Sequence, residues 1–193
     1  MESIYKIDKI EDLIKDNSYV GRGIIVGKSE DGKNAVIAYF IMGRSANSRN
    51  RIFAEKENNE VIIYPFDYSK VEDPSLIIYS PIREYKNNLI VTNGDQTDTI
   101  YNFLENSKSF EEALETREFE PDGPNFTPRI SGILNFKDNN FTLWLTLYLE
   151  SENFSFSSRL LKLSWISILL LWSLISNKML LILKVYTTGF WSF

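Results

Sequence analysis

Four short segments of this chain carry side chains suited to holding or transforming a polar ligand. In Tyr19-Val20-Gly21-Arg22-Gly23, an arginine sits between two glycines in a strand-like stretch. Glycine lets backbone approach a ligand closely, and a guanidinium offers a planar fork for phosphate or carboxylate. A bulged strand with a surface arginine would look the same. Gly43-Arg44-Ser45-Ala46-Asn47-Ser48-Arg49-Asn50-Arg51 gathers three arginines with hydroxyls and amides into one loop. It could cradle an anion, or it could be a solvated basic loop; it lacks the glycines and lysine of a Walker loop. Thr92-Asn93-Gly94-Asp95-Gln96-Thr97-Asp98 joins a strand to a helix, where backbone N–H groups are exposed. Asn93, Asp95 or Gln96 could face a ligand there; alternatively Asp95 or Asp98 caps the helix. The spacing is not that of a calcium loop. In the fourth segment, 120–131, three prolines stiffen a loop around Asp122, Asn125, Thr127 and Arg129. Rigid polar loops are good site material; the alternative is an ordinary structural loop with Arg129 paired to a neighbouring carboxylate. Together the four segments point to a small phosphorylated ligand.

The residue inventory narrows the chemistry. The 193 residues include no cysteine and no histidine. This removes disulfides, thiol nucleophiles, thiolate metal sites, and the commonest general base and transition-metal ligand. A zinc hydrolase or Ser-His-Asp enzyme is excluded as a reading, and catalysis falls to Asp, Glu, Lys, Arg, Tyr, Ser, Thr or backbone groups. No metal and no cofactor are expected. The net charge of −5 argues against sequence-independent nucleic-acid binding. A few arginines in one pocket can still hold a phosphate on an acidic protein. The charged start MESIYKIDKIEDLIKD has no apolar secretory core, so the expected compartment is the cytoplasm.

The elements that must position these groups follow from periodicity. Ile7, Ile10, Leu13 and Ile14 have helical spacing and predict a short helix over 7–16. The runs 19–27 and 34–43 read as strands joined through the hairpin dipeptide Asp31-Gly32. Residues 44–51 read as loop. The runs 51–55 and 60–66 read as strands around the turn KENN, followed by strands at 75–80 and 88–93. Helices are predicted at 96–106 and 109–117, the second opened by a Ser109–Glu112 capping box. The loop 120–128 leads to a last hairpin, 129–136 and 141–149. Strands, then helices, then strands predict an α+β fold with largely antiparallel sheet in layers.

The character of the chain changes near residue 140. All six prolines lie at or before Pro128, and all four tryptophans at or after Trp144. No acidic residue follows Glu152. Domains rarely divide their composition so sharply. The organisation read from this is a domain over 1–140, incomplete at its C-terminal end, and an atypical apolar tail over 141–193. The uncharged run 163–177 is short for a membrane-spanning helix and contains four serines. The tail reads first as the product of a shifted reading frame, second as a membrane-associated anchor, and third as a buried core helix.

The segments YVGRGIIVG, GRSANSRNRIF, EDPSLIIYSPIRE with VTNGDQTDTI, and EPDGPNFTPRISG resemble, in order, the motif blocks of the archaeal-type IMP cyclohydrolase family. The resemblance covers about residues 19 to 136 and is closest to a bacterial branch. It implies a four-layered αββα fold like that of the N-terminal nucleophile hydrolases, without their processed nucleophile. It implies a cytoplasmic enzyme that converts 5-formamidoimidazole-4-carboxamide ribonucleotide to IMP and water, with a purine ribonucleotide as its partner. The substrate carries its own nucleophile and electrophile, so positioning can supply much of the acceleration. On this reading Asp122, Glu120, Tyr19 and Asp95 are the candidate catalytic residues, with Asp122 or Glu120 carrying the proton. Arg22, Arg44 and Arg49 would meet the 5′-phosphate or developing oxyanion. Asn93 and Asn125 would orient the base, and Arg129 would support its loop or touch ligand. A homo-oligomer is left open. The other readings are a nucleotide-binding protein without turnover, a membrane-attached module, and an amidohydrolase. The amidohydrolase is disfavoured by the Met1-Glu2-Ser3 start.

Overall fold

Alternation with period two, where one strand face meets a core, decides most of this architecture. In the computed structural model, the described residues are 15–16, 21–28, 34–43, 45–71, 73–118, 120, 127, 129–137, 140–148, 166–175 and 178–187. The predicted helix over 7–16 falls almost wholly outside them.

Among the described residues, ten strands form two sheets. The first, in order β10-β9-β1-β2, joins β1 (Arg22–Lys28), β2 (Ala35–Ile41), β9 (Ile166–Ile175) and β10 (Lys178–Thr187). The second runs β3-β4-β5-β6-β7-β8. Its members are β3 (Ile52–Lys56), β4 (Glu60–Tyr64), β5 (Tyr79–Tyr85), β6 (Asn88–Thr92), β7 (Arg129–Lys137) and β8 (Asn140–Tyr148). Every pairing is antiparallel. Among the described residues, three α-helices accompany them: α1 (Ala46–Arg49), α2 (Gln96–Glu105) and α3 (Phe110–Glu115). The α+β, antiparallel expectation holds.

Ile24 and Val26 leave β1 on one face and meet Val91, Ile130 and Leu134 of the second sheet, with Ile37, Tyr39, Ile82 and Leu89 packed around them. The two sheets therefore lie face to face. The opposite parity on the second sheet, Ile90 and Ile133, meets Ile100 of α2 and Phe110, Ala113 and Leu114 of α3. Leu89 and Val91 look one way and Ile90 the other, which is what a strand buried on both sides requires. Each fully buried side chain of this kind contributes about 2 kcal/mol. The order among the described residues is sheet, sheet, helices.

Local signals explain several boundaries. The β3–β4 turn needs left-handed backbone, supplied by Asn58 (φ 62°) and Asn59 (φ 54°). The Ser109–Glu112 capping box forms as expected. Other expectations are corrected. The segment 44–51 is not all loop: Ser45 caps the one-turn helix α1 by accepting from the Ser48 N–H. The run 75–80 does not begin a strand. Asp73 instead caps a 3-10 turn at Pro74–Leu76, and β5 starts at Tyr79. Short polar caps outcompete an apolar pattern there. The hairpin 129–136 with 141–149 is present as β7 and β8 but is not the last, because β9 and β10 follow. The core-helix reading of the apolar run fails where it is described, since Ile166–Ile175 is a strand paired with β1. A continuous apolar run fits either element, and periodicity cannot tell them apart. Among the described residues no helix is long and apolar enough to cross a membrane.

Candidate functional site

The inward parity of β1 that buries Ile24 and Val26 also carries Arg22, at the strand's first position. The guanidinium thus enters between the sheets, where it is only 14% exposed. Its Nη1 donates to the Asn93 carbonyl at 2.7 Å and to Glu120 Oε1 at 2.5 Å. Glu120 is itself buried and anchored by its backbone N–H donating to the Thr127 carbonyl at 2.9 Å. Burial works against the Arg22 charge. Tyr79, Glu120 and Tyr39 outweigh it and hold the pKa above the ordinary arginine value. Among the described residues, the hydrogen bonds of this guanidinium all come from Nη1. Close above lies a hydrogen-bonded tyrosine pair, Tyr39 and Tyr79, with their hydroxyl oxygens 2.8 Å apart.

The turn from β6 into α2 forms the floor. Asn93 Oδ1 accepts from the Ile130 N–H and from Gln96 Nε2, both at 2.9 Å. Gln96 Nε2 also reaches the Ile130 carbonyl at 3.2 Å. Thr92 Oγ1 lies 2.7 Å from Thr97 Oγ1 and donates to the Gly94 carbonyl at 2.8 Å. These buried polar groups are mutually satisfied, so the turn is stiff. Arg129, on the helix-facing parity of β7, donates from Nη1 to Asp95 Oδ1 and Gln96 Oε1 at 2.6 Å each. Its Nε donates to the Glu118 carbonyl at 2.6 Å. Arg117 Nη2 takes the other oxygen of Asp95 at 2.5 Å.

Asp95 occupies the helix-cap position but makes no capping hydrogen bond. Partial burial alone would raise its pKa; the two guanidinium groups outweigh that and lower it. A carboxylate lowered in the folded state stabilises fully above its ordinary value near 3.8, and that contribution disappears as pH falls through the lower folded value. Urea unfolding followed from pH 6 downward should therefore show an acid limb that Asp95→Asn flattens. An unchanged limb in the variant would refute this.

Gly94 stands where the two halves meet. A Cβ there would lie 2.7 Å from Gln96 Oε1, 2.8 Å from Glu120 Oε1 and 2.9 Å from Arg129 Nη1. All three atoms are held by hydrogen bonds, so none retreats freely. Gly94→Ala should cost about 1–3 kcal/mol, the usual cost of overpacking, and should displace Glu120. Urea titration measures this, and a cost under about 0.5 kcal/mol would contradict it.

Of the candidate residues, Arg22, Asn93, Asp95, Glu120 and Arg129 come together from three of the four segments. Arg49 does not join them: it is exposed on α1, and its Nε donates to the Gly43 carbonyl at 2.9 Å. Tyr19, Arg44, Asp122 and Asn125 lie outside the described residues. Sequence reasoning missed Tyr39, Tyr79 and Arg117 as site residues. The first two sit in apolar strand runs, and Arg117 ends a helix pattern. Among the described residues no cluster of three or more acidic side chains is placed to hold a metal. The arrangement offers a buried cation, a carboxylate and hydroxyls around a small anionic or carbonyl-bearing ligand.

Comparison with known proteins agrees with this chemistry. Residues 19–162 match the family described as IMP cyclohydrolase-like protein. An IMP cyclohydrolase of Methanopyrus kandleri is 34% identical over 131 residues, 66% of this chain and 62% of that protein. Those of Methanococcus aeolicus and Methanocaldococcus jannaschii are 32% and 33% identical over 121 and 119 residues. These cover 61% of this chain in each case, and 58% and 57% of the relatives. The chain thus spans about three-fifths of the length of the curated relatives it matches.

Proposed function

The chain belongs to the IMP cyclohydrolase-like family, and from that membership we propose that it closes the purine ring of 5-formamidoimidazole-4-carboxamide ribonucleotide to give IMP and water. The observation that carries the reading is the buried Arg22–Glu120 pair, 2.5 Å apart. The reaction needs a group to draw charge to the formyl oxygen and a group to accept a proton from nitrogen; the pair supplies both.

The carboxamide nitrogen attacks the formyl carbon, and the carbonyl electron pair moves to oxygen. Arg22 stabilises that oxygen while Glu120 takes a proton from the nitrogen. The resulting carbinolamine loses its hydroxyl as water. That water carries away one hydrogen from the carboxamide nitrogen and one from the formamide nitrogen, so atoms balance without a redox partner. Asn93 sets the Arg22 guanidinium through its carbonyl, and the Asp95–Arg129–Gln96 network holds Asn93 in turn. Tyr19, Asn125 and Asp122 are assigned to base orientation and to a second proton carrier, and Arg44 to the 5′-phosphate. A cytoplasmic enzyme with the four-layered αββα arrangement fits this reading. The family match runs to residue 162, so the shifted reading frame is kept only for the tail beyond it; translating the other two frames of the gene past codon 162 tests that.

Incubation of the full chain with the formamido nucleotide should produce IMP at a rate proportional to protein concentration. Binding of IMP without turnover would replace this reading with a nucleotide-binding protein.

A further inference from the structure

One run of hydrogen bonds links the two buried arginines Arg129 and Arg22, and Gln96 is its middle member. Gln96 is the first residue of α2 and is fully buried. Its Oε1 accepts from Arg129 Nη1 at 2.6 Å. A guanidinium only donates, so this contact fixes which end of the Gln96 amide is oxygen. The other end, Nε2, donates to Asn93 Oδ1 at 2.9 Å and to the Ile130 carbonyl at 3.2 Å. A carbonyl only accepts, so the orientation of the amide is fixed a second time. Asn93 is then held at two points. Its Oδ1 accepts from Gln96 Nε2 and from the Ile130 N–H, and its own N–H donates to the Ile130 carbonyl at 3.2 Å. The Asn93 carbonyl in turn accepts from Arg22 Nη1 at 2.7 Å. That same nitrogen also donates to Glu120. Two acceptors on one nitrogen decide where the Arg22 guanidinium lies, so a shift of the Asn93 carbonyl swings it about Glu120. Only a carboxamide can accept from Arg129 and donate to Asn93 from one position. Glutamate lacks the donor, and methionine offers no more than a weak acceptor.

We propose that Gln96 is a positioning residue for ring closure, setting the Asn93 carbonyl that aims Arg22 at the oxygen on which charge develops. The proposal rests on the ring-closure reading and deepens it. Gln96 touches no reacting atom. Its effect reaches the chemistry through Asn93 and then through Arg22. This separates it from the stabilising role of Arg129, because Arg129 keeps its bonds to Asp95 and the Glu118 carbonyl when Gln96 is replaced. What Gln96 adds is direction, and a misplacement of about 1 Å can cost about 100-fold in rate.

The test measures kcat, KM and melting temperature in the full chain for Gln96→Met, alone and combined with Arg22→Ala. Gln96→Met should lower kcat by about 10- to 100-fold. KM should stay within about threefold, because Arg22 keeps its charge in the site and only the transition state loses a contact. In the Arg22→Ala background nothing is left to aim, so the Gln96 change should cost less than about threefold more. A purely structural role predicts the same fractional loss of kcat in both backgrounds, and that result overturns the proposal. Unchanged kcat in Gln96→Met, or a rise in KM alone, also overturns it. Should Gln96→Met fail to fold, Gln96→Glu keeps an acceptor for Arg129 and loses both donors, and the same losses are required of it. Absence of turnover in the wild-type chain overturns the ring-closure reading and this proposal together; wild-type turnover that survives the Gln96 replacements overturns this proposal alone.

Discussion

Glu120→Gln lowers ring-closing kcat by about 100- to 10,000-fold, the usual worth of a positioned proton carrier, while IMP binding stays within a few-fold of wild type. The amide keeps the shape of the carboxyl and can still accept from Arg22, so the site keeps its form. What it loses is the ability to take a proton from the carboxamide nitrogen. Arg22→Ala is the companion change. It removes the cation and strands the buried Glu120 without its partner 2.5 Å away, so both kcat and binding fall. Steady-state rates with calorimetric titration of IMP separate the two. Glu120→Gln with wild-type kcat would end the assignment of that residue as proton carrier.

Arg129→Ala is expected to have the largest effect on stability. Its side chain is 8% exposed and serves three acceptors: Asp95, Gln96 and the Glu118 carbonyl. Removing it leaves the Gln96 carbonyl oxygen and the Glu118 carbonyl without that donor. Breaking a buried pair costs about 3–5 kcal/mol; Asp95 is 47% exposed and keeps Arg117, so about 3 kcal/mol is the figure for this site. With an ordinary urea slope this moves the midpoint by about 1–2 M. A shift below about 0.3 M would show that the network contributes little.

The strands were readable because their signal is local: the apolar runs 19–27 and 88–93 stand between polar turns, and the Ser109–Glu112 box declares a helix start within four residues. The turn around Ser45 was not readable, because a one-turn helix shows no periodicity. Nor was the start of β5: Ile77 and Ile78 look like strand but follow a turn set by Asp73. Pro81 sits inside that strand, where pattern alone argues against it.

The site was half legible. Arg22, Asn93, Asp95, Glu120 and Arg129 stand out as polar residues in stiff or glycine-flanked segments. Their partnerships do not, because Arg22 and Glu120 are 98 residues apart and only the stacking of the two sheets joins them. Asp95 illustrates the limit. Its position reads as a helix cap, and nothing in the neighbouring residues reveals that Arg117 and Arg129 claim both its oxygens. Tyr39 and Tyr79 were hidden for the opposite reason. They lie among apolar neighbours, where a tyrosine reads as core and only its hydroxyl partner, on another sheet, reveals a second use.

The most direct test is a structure of the full chain with IMP bound. The base should lie between β1 and the β6–α2 turn, with Arg22, Glu120 and the tyrosine hydroxyls within about 3 Å of its polar atoms. A nucleotide seated away from Arg22 and Glu120 would contradict the account.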